Sequence, residues 1–135
     1  MYTFTKQERL CSKKLIDALF QSGHKLMAFP YSVHWMACPP GTLPPNIPAQ
    51  VLISTSKKKY HHAVDRNRVK RLTRECYRTH KPNLYDFLNI NGLTIVLAFN
   101  YIHTDIFDYH TLNHKFDKLT DSLIENISKY YPSAS

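Results

Sequence analysis

The run LTIVLAF, residues 93–99, sets apolar side chains at nearly every position, with none of the polar alternation of a half-wetted strand. Successive side chains of a strand point to opposite faces, so this strand is wetted on neither and belongs at the centre of a sheet covered on both sides. It is far too short to cross a bilayer. The rest of the chain has to supply the elements that cover it.

SKKLIDALFQSG, residues 12–23, reads as a short helix. Ser12 suits its start, Leu15, Ile16, Leu19 and Phe20 recur on one face, and Gly23 suits its stop. A closing helix from about Asp108 to Ser128 carries Leu112, Phe116, Leu119, Leu123 and Ile127 as a single apolar stripe. YSVHWMA, 31–37, alternates as a strand, with Tyr31, Val33 and Trp35 on one face and Ser32 and His34 on the other. VLISTS, 51–56, reads as a second strand, expected to pair with 31–37 as a hairpin. Val51 and Ile53 would then face the core, leaving Ser54 and Ser56 on the face of Ser32 and His34. Between the two lies CPPGTLPPNIPAQ, which holds five of the eight prolines and can only be a loop.

The order helix, strands, helix, strand, helix implies an α+β protein with one mixed sheet of about four strands and three helices. All 135 residues fit one domain, 1–135, large enough to bury a core without staples. Three scattered cysteines, Cys11, Cys38 and Cys76, suggest neither a disulfide framework nor a CxxC metal pair. The charged start MYTFTKQERL lacks the apolar stretch of a secretory signal. A cytoplasmic protein with no membrane association is expected.

Charge singles out one segment. Residues 57–81 hold ten Lys and Arg against two acids, Asp65 and Glu75, a net of +8 that equals the formal charge of the whole chain. The remainder balances, so the charge is a patch and calls for a polyanionic partner. AVDRNRVKRLTRECYR reads as a helix from about Ala63 to Thr79, ending near Lys81-Pro82. At about 100° per residue, Arg66, Lys70, Arg74 and Arg78 form one row and Asn67 and Arg71 a second, opposite the apolar Val69, Leu72 and Cys76. Arg68 falls on the flank beside Glu75, for packing or for a second contact. Bases about 6 Å apart match successive phosphates of a nucleic-acid strand, and Asn67 adds a donor and an acceptor able to read a base edge or a 2′-hydroxyl. A solvated face laced with ion pairs is the plain alternative, but the acids it needs are missing.

The run SKKKYHHAVDRNRVKRLTRECYR resembles the signature of the protein subunit of bacterial ribonuclease P. Its pieces are Ser56-Lys57-Lys58 ending a strand, then Ala63 and Arg66-Asn67-Arg68 opening a helix, with Lys70, Arg71, Arg74 and Glu75 continuing the match. Phe4 and the pair Arg9-Leu10 resemble the family's amino-terminal pattern, and the elements follow the family's order. The resemblance implies the ribonuclease P protein fold, shared with a ribosomal-protein domain. It also implies a ribonucleoprotein endonuclease that removes the 5′ leader of precursor tRNA, whose RNA holds the catalytic centre and uses the magnesium. The protein would then carry no catalytic residue, no metal site, no tightly bound cofactor and no small-molecule ligand.

Two binding surfaces are implied. Arg66, Asn67, Arg68, Lys70, Arg71, Arg74 and Arg78 would dock on the catalytic RNA. A cleft between the first helix and the outer sheet face would hold the single-stranded leader through Phe20, Ser32, His34, Ser54, Ser56, Lys57 and Lys58. Phe20 can equally be a core residue of its helix. His34 stands where an aromatic residue, often Tyr, is expected; it can stack, and partial protonation near neutral pH is expected of it.

Other constellations are weaker. His110, His114 and Asp117 have ligand-compatible helical spacing but lack the Glu of a zinc-protease motif, and Cys76 with His80 belongs partly to the apolar back. His61-His62 reads as further RNA contact. Asp105, Asp108, Asp117 and Asp121 are explained by capping and solvation better than as magnesium ligands of a protein-only nuclease. The competing function is a ribosome-like or regulatory RNA-binding protein that uses the same basic helix without processing activity.

Overall fold

A computed structural model of the chain describes residues 4–56 and 58–131. A short 3-10 helix, Lys6–Glu8, leads into α1 (Lys13–Ser22), β1 (His24–Ala28), β2 (Tyr31–Ala37), β3 (Ala49–Thr55), α2 (Ala63–Ile90), β4 (Ile95–Tyr101) and α3 (Tyr109–Tyr130). The four strands form one mixed sheet in the order β1-β2-β4-β3, with β1-β2 and β2-β4 antiparallel and β3-β4 parallel.

β4 takes the central place that its composition demands. Ile95, Leu97, Phe99 and Tyr101 enter the larger core against α2 and α3, while Val96 and Ala98 enter a smaller core with Leu10, Leu19 and Leu43. Helices α2 and α3 thus cover one sheet face and α1 the other. The whole predicted stripe of α3, Leu112, Phe116, Leu119, Leu123 and Ile127, is buried. Two polar tethers join the layers: the Trp35 indole N–H donates to Asn126 Oδ1 at 2.7 Å, and the Tyr31 hydroxyl meets Thr73 Oγ1 at 2.7 Å.

The expected hairpin between 31–37 and 51–56 does not form, because β4 lies between those strands. A strand apolar on both faces needs a neighbour on each side, and the two half-polar strands are those neighbours. Tight hairpins close in two to five residues or so. The Pro-rich connection is longer because it has to pass the end of β4, where Cys38 N–H donates to Thr94 O at 2.7 Å and Ile95 N–H to Pro48 O at 2.9 Å.

The basic helix also overruns its expected end near Lys81-Pro82 and continues to Ile90 with Pro82 inside it. An interior proline costs about 3 kcal/mol. Beyond it Leu84 and Leu88 are fully buried, each gaining about 1.5–3 kcal/mol, which is enough to carry the helix through. Gly23 stops α1 for a reason other than left-handed backbone, since its φ is −74°. A Cβ there would lie 2.3 Å from the Leu19 carbonyl oxygen and 3.0 Å from that of Trp35, so α1 meets β2 at a point with no room for a side chain.

Candidate nucleic-acid interface

The start of α2 is held by the turn before it. Arg66 Nη1 donates to the carbonyls of Tyr60 at 2.8 Å and His61 at 2.9 Å. The Tyr60 hydroxyl in turn donates to His103 O at 2.7 Å, and the Lys59 ammonium to Ile102 O. Ser56 shapes this turn, accepting from Lys59 N–H through its hydroxyl and from Tyr60 N–H through its carbonyl. The basic helix therefore begins at one fixed point against the end of β4.

Its buried side comprises Val69, Thr73, Cys76 and Tyr77. Thr73 and Tyr77 turn the packed face towards the row predicted as the front. Asn67, Arg68 and Arg71 are exposed, whereas Arg66, Lys70, Arg74 and Arg78 are half-buried. Arg68, expected on a flank, stands on the exposed ridge. Lys70 and Arg74 lean with Arg9 over a cavity of about 200 Å³ at the β3 edge, which Phe4, Val51 and Ile53 help to line. Arg78 is paired along the helix with Glu75, at 3.1 Å from Nε to Oε2. Lys81, counted in the basic segment, is buried in an ion pair with Glu8, 2.7 Å from Nζ to Oε2.

On the opposite sheet face the second predicted group comes together. Strand register sets Met27 beside Ser32, Ser32 beside Asn100, and Asn100 beside Ser54. This is one row crossing all four strands, but Ser32, expected to face the leader, is buried at 5% exposure, while Ser54 and Asn100 are half-buried. Ser54 Oγ donates to Asn100 Oδ1 at 3.2 Å. Phe20 is 46% exposed and is not a core residue of α1; its ring lies 4.8 Å from that of His34, edge to face. Burial, then the charge of Lys25 across the β1–β2 pair, push the His34 pKa below its ordinary value of 6.5. The protonated form of His34 is therefore disfavoured, against the direction of the expected partial protonation.

Lys58 is exposed in the turn after β3, and Lys57 lies outside the described residues. Asn100 and Lys25 complete the surface and were missed. Asn100 was findable, since it breaks the apolar run of β4 at the position that a period of two assigns to Ala98's face.

His80, Asp117 and Asp108 make structural contacts. His80 bonds the Cys76 carbonyl through Nδ1 at 2.8 Å and Asp117 through Nε2 at 2.6 Å, locking α2 to α3. Burial, with a smaller push from Glu75, raises the Cys76 thiol to about 12. Asp108 caps α3 by accepting from Thr111 N–H at 2.8 Å. No group of three His, Cys, Asp or Glu suited to a metal occurs among the described residues. Nor is any helix among them long and apolar enough to cross a membrane.

A family model described as Ribonuclease P matches residues 4–123. A ribonuclease P protein component of Porphyromonas gingivalis is 29% identical over 126 residues, 93% of this chain and 90% of that protein. One from Chlorobium phaeobacteroides is 34% identical over 102 residues, covering 72% and 70% of the two chains. Among solved structures, the ribonuclease P protein of Thermotoga maritima superimposes with a TM-score of 0.60 at 18% identity, over 85% of this chain and 96% of that one. That of Staphylococcus aureus gives 0.58 at 20% identity, over 92% and 97%. These structures share the fold, and with the family match over nearly the whole length, the chain belongs to the ribonuclease P protein family.

Proposed function

We propose that the chain is the RNA-binding subunit of ribonuclease P and assists a catalytic RNA in removing the 5′ leader of precursor tRNA. Asn67, Arg68 and Arg71 on the exposed ridge, with Arg66, Lys70, Arg74 and Arg78 beside them, dock on the catalytic RNA. Phe20, His34 and Ser54 with Asn100 and Lys58 hold the leader together with Lys57, and Ser56 shapes the turn that carries Lys58. The RNA supplies the catalytic centre and its magnesium; the protein supplies orientation and charge.

The observation that carries this reading is the presence of two unlike surfaces on opposite sides of one sheet. A ridge short of acids binds phosphates by charge, so its affinity falls steeply with salt. A half-exposed Phe beside a His and a row of hydroxyl and amide groups suits stacked bases, with little sequence preference. An RNA-binding protein without a processing role has no use for the second surface.

The test is reconstitution with the family's catalytic RNA and a precursor tRNA. At low magnesium, cleavage requires both components; at high magnesium it recovers partly without protein. Arg68→Ala or Arg71→Ala weakens assembly with the RNA, while Phe20→Ala weakens precursor binding by about tenfold and leaves assembly intact. Cleavage by the protein alone refutes the proposal.

A further inference from the structure

The polar row on the α1 face does not stop at the sheet. The half-buried Ser54 and Asn100 and the buried Ser32 lead to Met27 on the edge strand β1, which is 58% exposed. Across three strand spacings this path is about 14 Å long. Met27 also lines a cavity of about 240 Å³ that lies beyond the β1 edge, between the β1–β2 turn and α3. Phe29, 53% exposed, and Lys115 and Lys118 line the same cavity.

The aromatic groups here are assembled from three parts of the chain. Phe29, from the turn, lies 5.0 Å from His103 and 6.0 Å from Phe107, both edge to face. His103 and Phe107, from the loop after β4, stack on each other at 4.7 Å with planes 21° apart. The Lys115 ammonium sits 5.5 Å from the Phe29 ring centre and 5.3 Å from that of Phe107. A cation over aromatic faces is attracted to them yet keeps donors for another acceptor. The loop is fixed from below, because the Tyr101 hydroxyl donates to Asp105 O at 2.7 Å and accepts from Phe107 N–H at 3.1 Å.

The charge here is complementary to a polyanion. Lys115 and Lys118 face the cavity with His114. Of the nearby carboxylates, Asp108 is held by the α3 cap and Asp117 by His80, while Asp105 in the loop and Asp121, three residues from Lys118, are exposed. Asp121 lies about 120° round the helix from Lys115. The exposed Phe29 ring, backed by the half-buried His103 and Phe107 and with lysines beside it, forms a stacking platform with phosphate contacts.

We infer that the precursor's leader, after crossing the row from Ser54 to Met27, continues over the β1 edge and places an unpaired nucleotide in this cavity. The base packs on Phe29, and Lys115 and Lys118 take the flanking phosphates. This rests on the proposed leader reading of the α1 face and adds a distal subsite to it. Its consequence is a dependence on leader length, since a leader of only a few nucleotides ends on the sheet.

The experiment measures binding of reconstituted holoenzyme to two precursor tRNAs, one with a leader of a few nucleotides and one with a long leader. Phe29→Ser, Lys115→Glu and Lys118→Glu are compared with Phe20→Ala. Phe29 and Lys118 are exposed, so at least two of the variants perturb no packed core. The expected result is a loss of about tenfold for the long leader, from forfeited stacking and phosphate contact, and no change for the short one. Equal affinity of all three variants for the long leader overturns the subsite, as does an equal loss for both leaders. The Phe20→Ala arm separates the two ideas: loss there with unchanged platform variants refutes the subsite alone. No loss there for either leader refutes the α1-face reading, and the subsite, which rests on it, falls with it.

Discussion

Glu8 receives two donors from Lys81, at 2.9 and 2.7 Å, and one from the Tyr85 hydroxyl, while Thr5 N–H donates to it at 3.0 Å. Burial alone would raise its pKa, but the hydrogen bonds from Lys81, Tyr85 and Thr5 outweigh it and hold the carboxyl below its ordinary value. A depressed carboxylate contributes stability that is present above its unfolded pKa and lost as pH falls through the folded one. Glu8→Gln should therefore flatten the acid limb of the stability curve, read by urea denaturation across pH. Lys81→Met strands a buried carboxylate and should cost roughly 3–5 kcal/mol at neutral pH. That loss should shrink in acid, where protonation removes the stranded charge. Lys81 shows how far a residue's role escapes its composition: it belongs to the basic patch by sequence and to the interior by contact.

At the scale of elements, α2 is the departure from local rules. The residue before a proline is biased away from helix, which is why an end near Lys81-Pro82 was expected. Leu84 and Leu88 find the α2–α3 core and outweigh that bias. Pro82→Ala should then raise stability by about 1–3 kcal/mol, since it restores a hydrogen bond and removes a clash while keeping the buried face. A lower urea midpoint would show instead that the proline ring itself packs productively. β1 escaped notice for a different reason. HKLMA is a short edge strand, and its apolar Leu26 and Met27 are adjacent, so the period of two never emerges although burial alternates along it. The helix α3 and the strand β4 were legible because their apolar pattern and their burial agree, and α1 and β2 follow theirs except at the exposed Phe20 and the buried Ser32.

At the scale of the molecule, the sheet separates the two surfaces proposed to face RNA by a packed layer on the order of 10 Å thick. The Arg71 ridge and the Phe20–His34 surface share no partner, so Arg71→Ala and Phe20→Ala should act additively on precursor binding by the holoenzyme, within about 0.5 kcal/mol. Coupling well beyond that in a double-mutant cycle would mean that both residues act on one bound element. The sequence by itself determined the α+β class, the central strand, the identity of the basic segment and its Arg66-Asn67-Arg68 signature. These are properties of composition and of local period, which do not depend on where distant residues lie. Only the tertiary structure decided that β4 separates β2 from β3, that α2 runs through Pro82, and that Arg68 rather than Lys70 stands on the exposed ridge. It also set Met27 in the register row of Ser32 and Asn100 and brought it with Phe29 and Lys115 to one cavity. Each of those outcomes turns on a contact between residues far apart in the chain, whose energy exceeds the local preference it overrides.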